Sequence, residues 1–350
     1  MLLQLAEELR RRGREVVTVG PRDGGGWLGE QFRRRGFPTE TFALTRTLDP
    51  SCVTGLTSIV SRYNVQVLHS HEFTLGFYGS LAARWTKRVH VITMHGGKDF
   101  ATALRRRLAL RAAATLSNAI NTVSEAARDH LARALWMPRR AVHVVPNGIR
   151  FARGERGRVR QELGVAEDEV LVVAVGNLYE VKGHRVLLES LARLAPPGAV
   201  LPCHVAIAGQ GHLESEIRAI VDARGWRDHV RLLGVRDDIP DILAAADVYA
   251  MPSLSEGLPL ALIEAMMAGT AIVASRVGGI PEAVLDGTHA LLVPPGDPAE
   301  LGEALGRLIG DRDLRARLGA AAAQRANLRY NVTAMTDAYE SLYEGRGPSL

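Results

Sequence analysis

Two glutamates eight residues apart, Glu256 and Glu264, are the residues of this sequence whose type and spacing say most about chemistry. The Gly257-Leu258-Pro259 step that follows the first reads as a helix start, because proline is tolerated in a first turn where its missing N–H costs nothing. Leu260 to Ala268 are good helix formers, and Gly269 is placed to end the helix. Glu256 then stands just ahead of the helix N-terminus, and Glu264 lies about a turn or more inside it. Free backbone N–H groups and the positive end of the helix dipole lie between them. A ligand with an anionic centre and hydroxyls on both sides suits that arrangement, and a sugar nucleotide is such a ligand. An amphipathic helix with two solvated glutamates has the same spacing, so the surrounding residues must decide.

Other chemistry-bearing residues also follow short apolar runs. Val170–Val175 leads into Gly176-Asn177-Leu178-Tyr179-Glu180-Val181-Lys182-Gly183-His184, where Lys182 beside a glycine can reach a diphosphate near a helix N-terminus. Gly209-Gln210-Gly211 follows His204–Ala208 and reads first as a tight turn. The adjacent Gly278 and Gly279 allow close backbone approach, with Glu282 as a helix-start residue. Met94-His95-Gly96-Gly97-Lys98 puts His95 at the carboxyl end of a strand, facing a crevice, and His71 ends the strand before it. Ser124 is a good helix N-cap. The His69/His71 pair lacks further ligands of suitable spacing, and Asp237-Asp238 is not an Asp-x-Asp pattern, so no metal is expected.

The elements that must position these residues alternate. Candidate strands are 15–19, 65–69, 90–94, 119–123 and 142–145, then 170–175, 204–208, 230–233, 248–251, 271–274 and 290–293. Most are continuously apolar, as parallel strands covered on both faces are. Strand–helix alternation predicts doubly wound α/β domains, and the loops bearing glycine and glutamate all follow strands, where open parallel sheets bind ligands. That favours two such domains over one closed (β/α) barrel. The series breaks at Pro146-Asn147-Gly148 and the polar stretch 150–160. We expect a first domain over 1–149, a second over 150–329, and a final segment, 330–350, holding a helix with Val332, Met335, Tyr339, Leu342 and Tyr343 on its apolar side.

The chain has 350 residues, 47% apolar and 23% charged, which suits a soluble protein of two domains. Cys52 and Cys203 match no metal or redox spacing and read as buried thiols of a reducing compartment. No apolar run is long enough to span a membrane, and acidic residues in the first ten positions argue for a helix there rather than a targeting segment. The net charge of +5 reflects arginine runs at 10–12, 33–35 and 105–107. These read as solvated helix ends or as a basic surface for anionic lipid or a polyanionic acceptor. No nucleic-acid module is present, and a dinucleotide oxidoreductase is disfavoured, because no Gly-x-Gly-x-x-Gly opens the first helix and no acidic residue follows at the right distance.

The segments 246–253, 255–269 and 271–282 together closely resemble the donor-binding signature of retaining GT-B glycosyltransferases of glycosyltransferase family 4, and the resemblance runs from about Val65 to the last helix. It implies two Rossmann-like domains facing a central cleft, with the last helix crossing back to the first domain. It implies transfer of a sugar from a nucleotide-diphosphate sugar, UDP- or GDP-linked, to a hydroxyl of a lipid, polysaccharide or small molecule, with retention and without a metal or other cofactor. Glu256 would hold sugar hydroxyls and steady the oxocarbenium-like ring, Lys182 the leaving diphosphate, and Glu264 the ribose hydroxyls. Gly176, Asn177, Gly209, Gly257 and Leu258 would line the donor, Val235 and Arg236 would meet the base, His95 would stand against the transferred sugar, and His71 would lie on the acceptor side. Asn177 departs from the family, which has a basic residue there, and Arg185 or Arg276 is a candidate replacement. The chain also opens inside its first helix, so the resemblance implies that the first strand and glycine loop of the N-terminal domain are missing. A sugar-nucleotide epimerase of the same fold, or a non-catalytic sugar-nucleotide-binding protein, remain alternatives. The expected location is the cytoplasm, with contact to the inner membrane face through the basic first domain.

Overall fold

In the computed structural model, which describes residues 1–21, 26–42, 49–96, 103–195 and 199–347, the apolar runs are parallel strands and the segments between them are helices. The chain divides into two compact units, Met1–Gly148 with Val332–Leu350, and Ile149–Asn331.

The first unit comprises α1 (Leu2–Arg11), β1 (Thr18–Pro21), α2 (Gly26–Arg34), β2 (Thr39–Phe42), α3 (Pro50–Arg62), β3 (Val67–His71), α4 (Glu72–Thr86), β4 (Val89–Met94), α5 (Leu104–Leu116), β5 (Ala119–Thr122), α6 (Glu125–Ala134) and β6 (His143–Val144). Strands β3-β4-β5-β6 form one parallel sheet, and β1-β2 form a separate parallel pair. The strand expected at 15–19 lies at Thr18–Pro21, because Glu15 is exposed and pairing with the second strand begins at Thr18. Strand β2 was not foreseen: Thr39-Glu40-Thr41-Phe42 buries only its phenylalanine and shows no apolar run. Gly97 and Lys98, read as part of the His95 loop, lie outside the described residues.

The second unit comprises α7 (Arg156–Leu163), β7 (Leu171–Val175), α8 (His184–Leu194), β8 (His204–Ala208), α9 (Glu214–Ala223), β9 (Val230–Gly234), α10 (Ile239–Ala245), β10 (Val248–Met251), α11 (Leu260–Ala268), β11 (Ala271–Ser275), α12 (Ile280–Ala283), β12 (Leu291–Val293), α13 (Pro298–Gly310) and α14 (Arg312–Arg329). Its sheet has six parallel strands in the order β12-β11-β10-β7-β8-β9. The order reverses between β7 and β10, so the crevice at their carboxyl ends is the switch point where such sheets bind ligands. The core includes Val172, Ala174, Leu187, Leu191, Ile207, Val248 and Val273, which explains why these strands read as unbroken apolar runs.

The last helix, α15 (Val332–Tyr343), belongs to the first unit. Val332, Met335, Tyr339 and Leu342 pack against Leu5 of α1, Val91 of β4 and Ala119 of β5. Burying each large apolar side chain there contributes about 1.5–3 kcal/mol, so α15 is a structural part of that unit.

Candidate active site

Two loops meet at the switch point of the second unit. The loop after β7 makes a short 3-10 turn over Glu180–Lys182 and enters α8 through Gly183, at φ 68°. A Cβ there would stand 1.9 Å from the Pro252 carbonyl oxygen, so only glycine lets this loop lie on the loop after β10. The Leu254 N–H donates to the Val181 carbonyl at 2.8 Å and ties the two together.

That contact places Lys182 Nζ 2.7 Å from Glu256 Oε1, and the Ser253 hydroxyl donates to the same oxygen at 2.7 Å. The Glu256 side chain is 8% exposed and that of Lys182 27%. Glu256 Oε2 has no hydrogen-bond partner among the described residues, so one oxygen is anchored twice and the other is not anchored by them. The Lys182 stem lies against Gly176, whose Cβ would stand 3.6 Å from Cδ. The sequence marked Lys182 and Glu256 separately; the structure makes them one ion pair.

Helix α11 spans Leu260–Ala268 and ends on left-handed Gly269, as its composition predicted. Its start differs from expectation. Pro259 is the N-cap in extended conformation rather than a first-turn residue, so the N-terminus begins three residues beyond Gly257. No side chain caps it, which leaves its first-turn N–H groups open to an anion. The Gly257 carbonyl accepts from the Gly279 N–H at 2.6 Å, and a Cβ on Gly278 would stand 1.9 Å from the Glu256 carbonyl oxygen, so the paired glycines support the glutamate from behind. Leu258 is buried. Glu264, half-buried on α11, has its pKa raised by burial.

Gly209 holds a φ of 146°, and a Cβ there would stand 2.0 Å from the Gly176 oxygen, so it packs backbone against the β7 loop. Asn177 is exposed, and its carbonyl faces Nε2 of the buried His184 at 3.2 Å. Of the two suggested replacements for the absent cation, Arg185 forms an exposed pair with Glu216 and Arg276 one with Asp286. Val235 and Arg236 follow β9 at the sheet edge, two strands from β7. The Arg236 guanidinium is held by Glu162 and Asp238, so its side chain braces the unit, and a base contact there would fall to the backbone.

Two residues of this site escaped the sequence reading. Ser253 sits beside an already ordinary Pro252, and nothing in the spacing showed that its hydroxyl meets Glu256. Tyr249 on β10 is wholly buried, and its hydroxyl has no partner among the described residues. Burial, and then the charges of Glu256 and Glu264, push its pKa well above the usual phenol value, so it stays protonated as a hydrogen-bond donor.

The first unit gathers histidines at the carboxyl ends of β3 and β4. His71 Nδ1 lies 2.9 Å from His95 Nε2, with the rings stacked. Glu72 adopts a left-handed φ of 65°, strained for a non-glycine residue, and its carboxylate accepts from the His95 N–H at 3.1 Å. Burial lowers the pKa of His95 to about 4 and that of His71 well below its usual value, so both are neutral near pH 7 and share one proton in their hydrogen bond. His69 is committed elsewhere. Thr93 donates to Asn121 at 2.8 Å and accepts from His69 Nε2–H at 2.7 Å, which leaves Nδ1 to accept from Tyr343 at 2.8 Å. Both its nitrogens are engaged within the first unit.

Residues 155–325 match the family model for glycosyl transferases group 1, and residues 1–153 match that for glycosyltransferase family 4. The alpha-maltose-1-phosphate synthase of Mycolicibacterium smegmatis is 34% identical over 74% of this chain and 73% of its own length. The chain belongs to glycosyltransferase family 4. A second relative, the D-inositol 3-phosphate glycosyltransferase of Corynebacterium jeikeium, is 34% identical over 60% of the chain and 53% of its own length. The chain spans about half to three-fifths of the length of several curated relatives it matches, 53%, 61% and 57% in three cases. The crystal structure of Anabaena HepE in complex with UDP superposes with a TM-score of 0.84, covering 98% of this chain and 94% of that one at 22% identity, which establishes the GT-B fold.

Proposed function

We propose that this family 4 chain is a hexosyltransferase that moves a sugar from a UDP- or GDP-sugar to a hydroxyl acceptor with retention of configuration. The observation that carries the reading is the Lys182–Glu256 pair at the β7/β10 switch point, beside the uncapped N-terminus of α11. The UDP held by HepE supports a nucleotide-diphosphate donor. On binding, the diphosphate takes Lys182 and the α11 N–H groups, and Glu256 turns Oε2 to sugar hydroxyls. The bond from the anomeric carbon to the diphosphate oxygen breaks as the acceptor oxygen attacks the same face. The acceptor proton passes to the departing phosphate oxygen. Lys182 stabilises the charge that develops there, an effect worth about 10²–10³ in rate for a single donor. Glu264 holds the ribose hydroxyls. The chemistry asks for no metal or other cofactor.

The acceptor class is a lipid, a growing polysaccharide of the cell envelope or a small molecule. Two buried free cysteines and a nucleotide-sugar donor suit a reducing cytoplasmic site. No helix among the described residues is long and apolar enough to cross a membrane.

Thermal shift with UDP-, GDP- and ADP-sugars tests the donor, since a ligand bound only to the folded state raises its stability. A donor-only incubation tests for epimerisation. Transfer by the wild type, lost in Glu256→Ala and Lys182→Ala with the fold intact, supports the proposal. Binding without turnover would make the chain a nucleotide-sugar-binding protein, and full activity in both variants would remove the site assignment.

A further inference from the structure

Tyr249 is the only polar side chain of β10, and it is wholly buried. Val248 and Ala250 beside it lie in the core with Leu187 and Leu191 of α8, so strand alternation turns Tyr249 to the opposite face of the sheet. There α10 packs on β7 and α11 on β11, the two strands that pair with β10 at Tyr249. The side chains these helices bury, Ile242, Leu243, Leu262, Ile263 and Met266 with alanines, are all apolar. A phenylalanine would suit such a layer. The tyrosine hydroxyl has no partner among the described residues, and a buried donor left without an acceptor costs enough to call for a role.

An acceptor in the matching condition stands in the loop that follows β10. Both hydrogen bonds to the Glu256 carboxylate, from Lys182 and Ser253, fall on Oε1, and Oε2 has none among the described residues. Burial, then the charge of Glu256 and then that of Glu264, raise the phenol pKa, so the hydroxyl keeps its proton and meets these carboxylates as a donor. The two glutamates differ in what a ligand does to them. Glu264 has no ion pair among the described residues to lose. Glu256 is held by the Lys182 ammonium, the group that a bound diphosphate takes.

We propose that Tyr249 is a positioning residue for Glu256, its hydroxyl donating to the carboxylate that Lys182 gives up when a nucleoside diphosphate binds. This handover, which rests on Lys182 being the diphosphate ligand of the proposed reaction, leaves Ser253 and Tyr249 holding the carboxylate in place of Ser253 and Lys182. The anion keeps its orientation while the ammonium serves the leaving group. In the empty protein the ion pair is closed and the hydroxyl stays out of use, so the contact belongs to the loaded state.

The test is a set of urea unfolding curves on the full chain without nucleotide, for wild type, Tyr249→Phe, Lys182→Met and the double variant. Tyr249→Phe removes only a hydroxyl, so alone it should leave the folding equilibrium constant within about threefold of wild type or raise it. Lys182→Met releases the carboxylate with no ligand present. On that background Tyr249→Phe should lower the constant about tenfold or more, the worth of a hydrogen bond to a charged group. Adding Glu256→Ala should abolish this effect, and adding Glu264→Gln should leave it. Titration with UDP and GDP should show the nucleotide that binds doing so about tenfold more weakly to Tyr249→Phe, and kcat should fall about tenfold or more although the empty variant is as stable as wild type. Equal effects of Tyr249→Phe on the wild-type and Lys182→Met backgrounds would overturn the proposal. So would abolition by Glu264→Gln instead of Glu256→Ala, which would give the hydroxyl to Glu264. Nucleotide bound as tightly by Lys182→Met as by wild type would overturn the handover through the role of Lys182, and the unfolding curves, which need no nucleotide, tell that failure from a failure of the Tyr249 contact.

Discussion

Replacing Lys182 by methionine keeps the stem over Gly176 and removes only the ammonium. The Glu256 carboxylate, 8% exposed, is then left with Ser253 as its sole partner among the described residues. Removing one member of a buried pair costs about 3–5 kcal/mol. Lys182 is 27% exposed, so water reaches part of the pair, and about 2 kcal/mol is the better figure. For a unit of this size about 2–4 °C accompanies each kcal/mol, so the melting temperature of the empty protein should fall by about 4–8 °C. Adding Glu256→Gln removes the stranded charge, and the double variant should recover most of that loss. Turnover should behave oppositely: Lys182→Met loses about 10²–10³ in kcat, and the double variant loses more. Melting curves without nucleotide and single-turnover transfer assays on the wild type, both single variants and the double read the two effects separately. A double variant no more stable than Lys182→Met would show that the ion pair is not what sustains the buried carboxylate. A double variant with restored turnover would show that neither residue acts in transfer.

Three further outcomes are expected. Ser253→Ala removes a hydrogen bond to a charged oxygen, worth about 1.5–3 kcal/mol, and should lower kcat about 10- to 100-fold while Ser253→Thr retains more; equal kcat in the alanine variant would take Ser253 out of the site. Gly183→Ala puts a Cβ 1.9 Å from the Pro252 oxygen at φ 68°, and should cost about 2–3 kcal/mol in urea unfolding and weaken nucleotide binding by parting the two loops; a variant as stable and as tight as wild type would refute this packing. In the first unit, burial lowers His90 to about 4, while the unfolded chain titrates it near 6.5. The unfolded state then binds more protons between these values, so stability is full above about pH 6.5 and declines as pH falls toward 4, by about 3 kcal/mol from this residue. Urea midpoints measured from pH 4 to 7 should show that slope, and His90→Gln should flatten it; identical slopes would exclude His90 as the cause.

Much of the fold was legible because parallel strands covered on both faces must be apolar throughout. Val248–Met251 and His204–Ala208 were read to the residue, and Leu260–Ala268 was bounded by a good helix sequence and a glycine whose left-handed φ ends it. The failures share one physical origin. Strand β2 pairs through its backbone with Thr39 and Glu40 only partly covered, so its side chains carry no period that marks a strand. Pro259 fixes its own φ but does not say which side of the helix boundary it occupies. Long-range ion pairs were equally hidden: Glu162 and Asp238 converge on Arg236 only in the folded chain.

The candidate site shows the same division between chemistry and placement. Residue type together with the surrounding motifs singled out Lys182 and Glu256, 74 positions apart in the chain. What brings them to 2.7 Å is backbone lying on backbone at three glycines. A Cβ at Gly183 would strike Pro252, one at Gly209 would strike Gly176, and one at Gly278 would strike Glu256 itself. A glycine in a sequence announces a turn, but not which distant carbonyl will fill the space its side chain leaves. Ser253 and Tyr249 were hidden for the same reason: each acquires its role only after those contacts set the β10 loop against the β7 loop. The precision of the site therefore resides in glycine packing rather than in the charged residues, and Gly183→Ala, which alters no charge, should disturb the Lys182–Glu256 geometry that Lys182→Met leaves sterically intact.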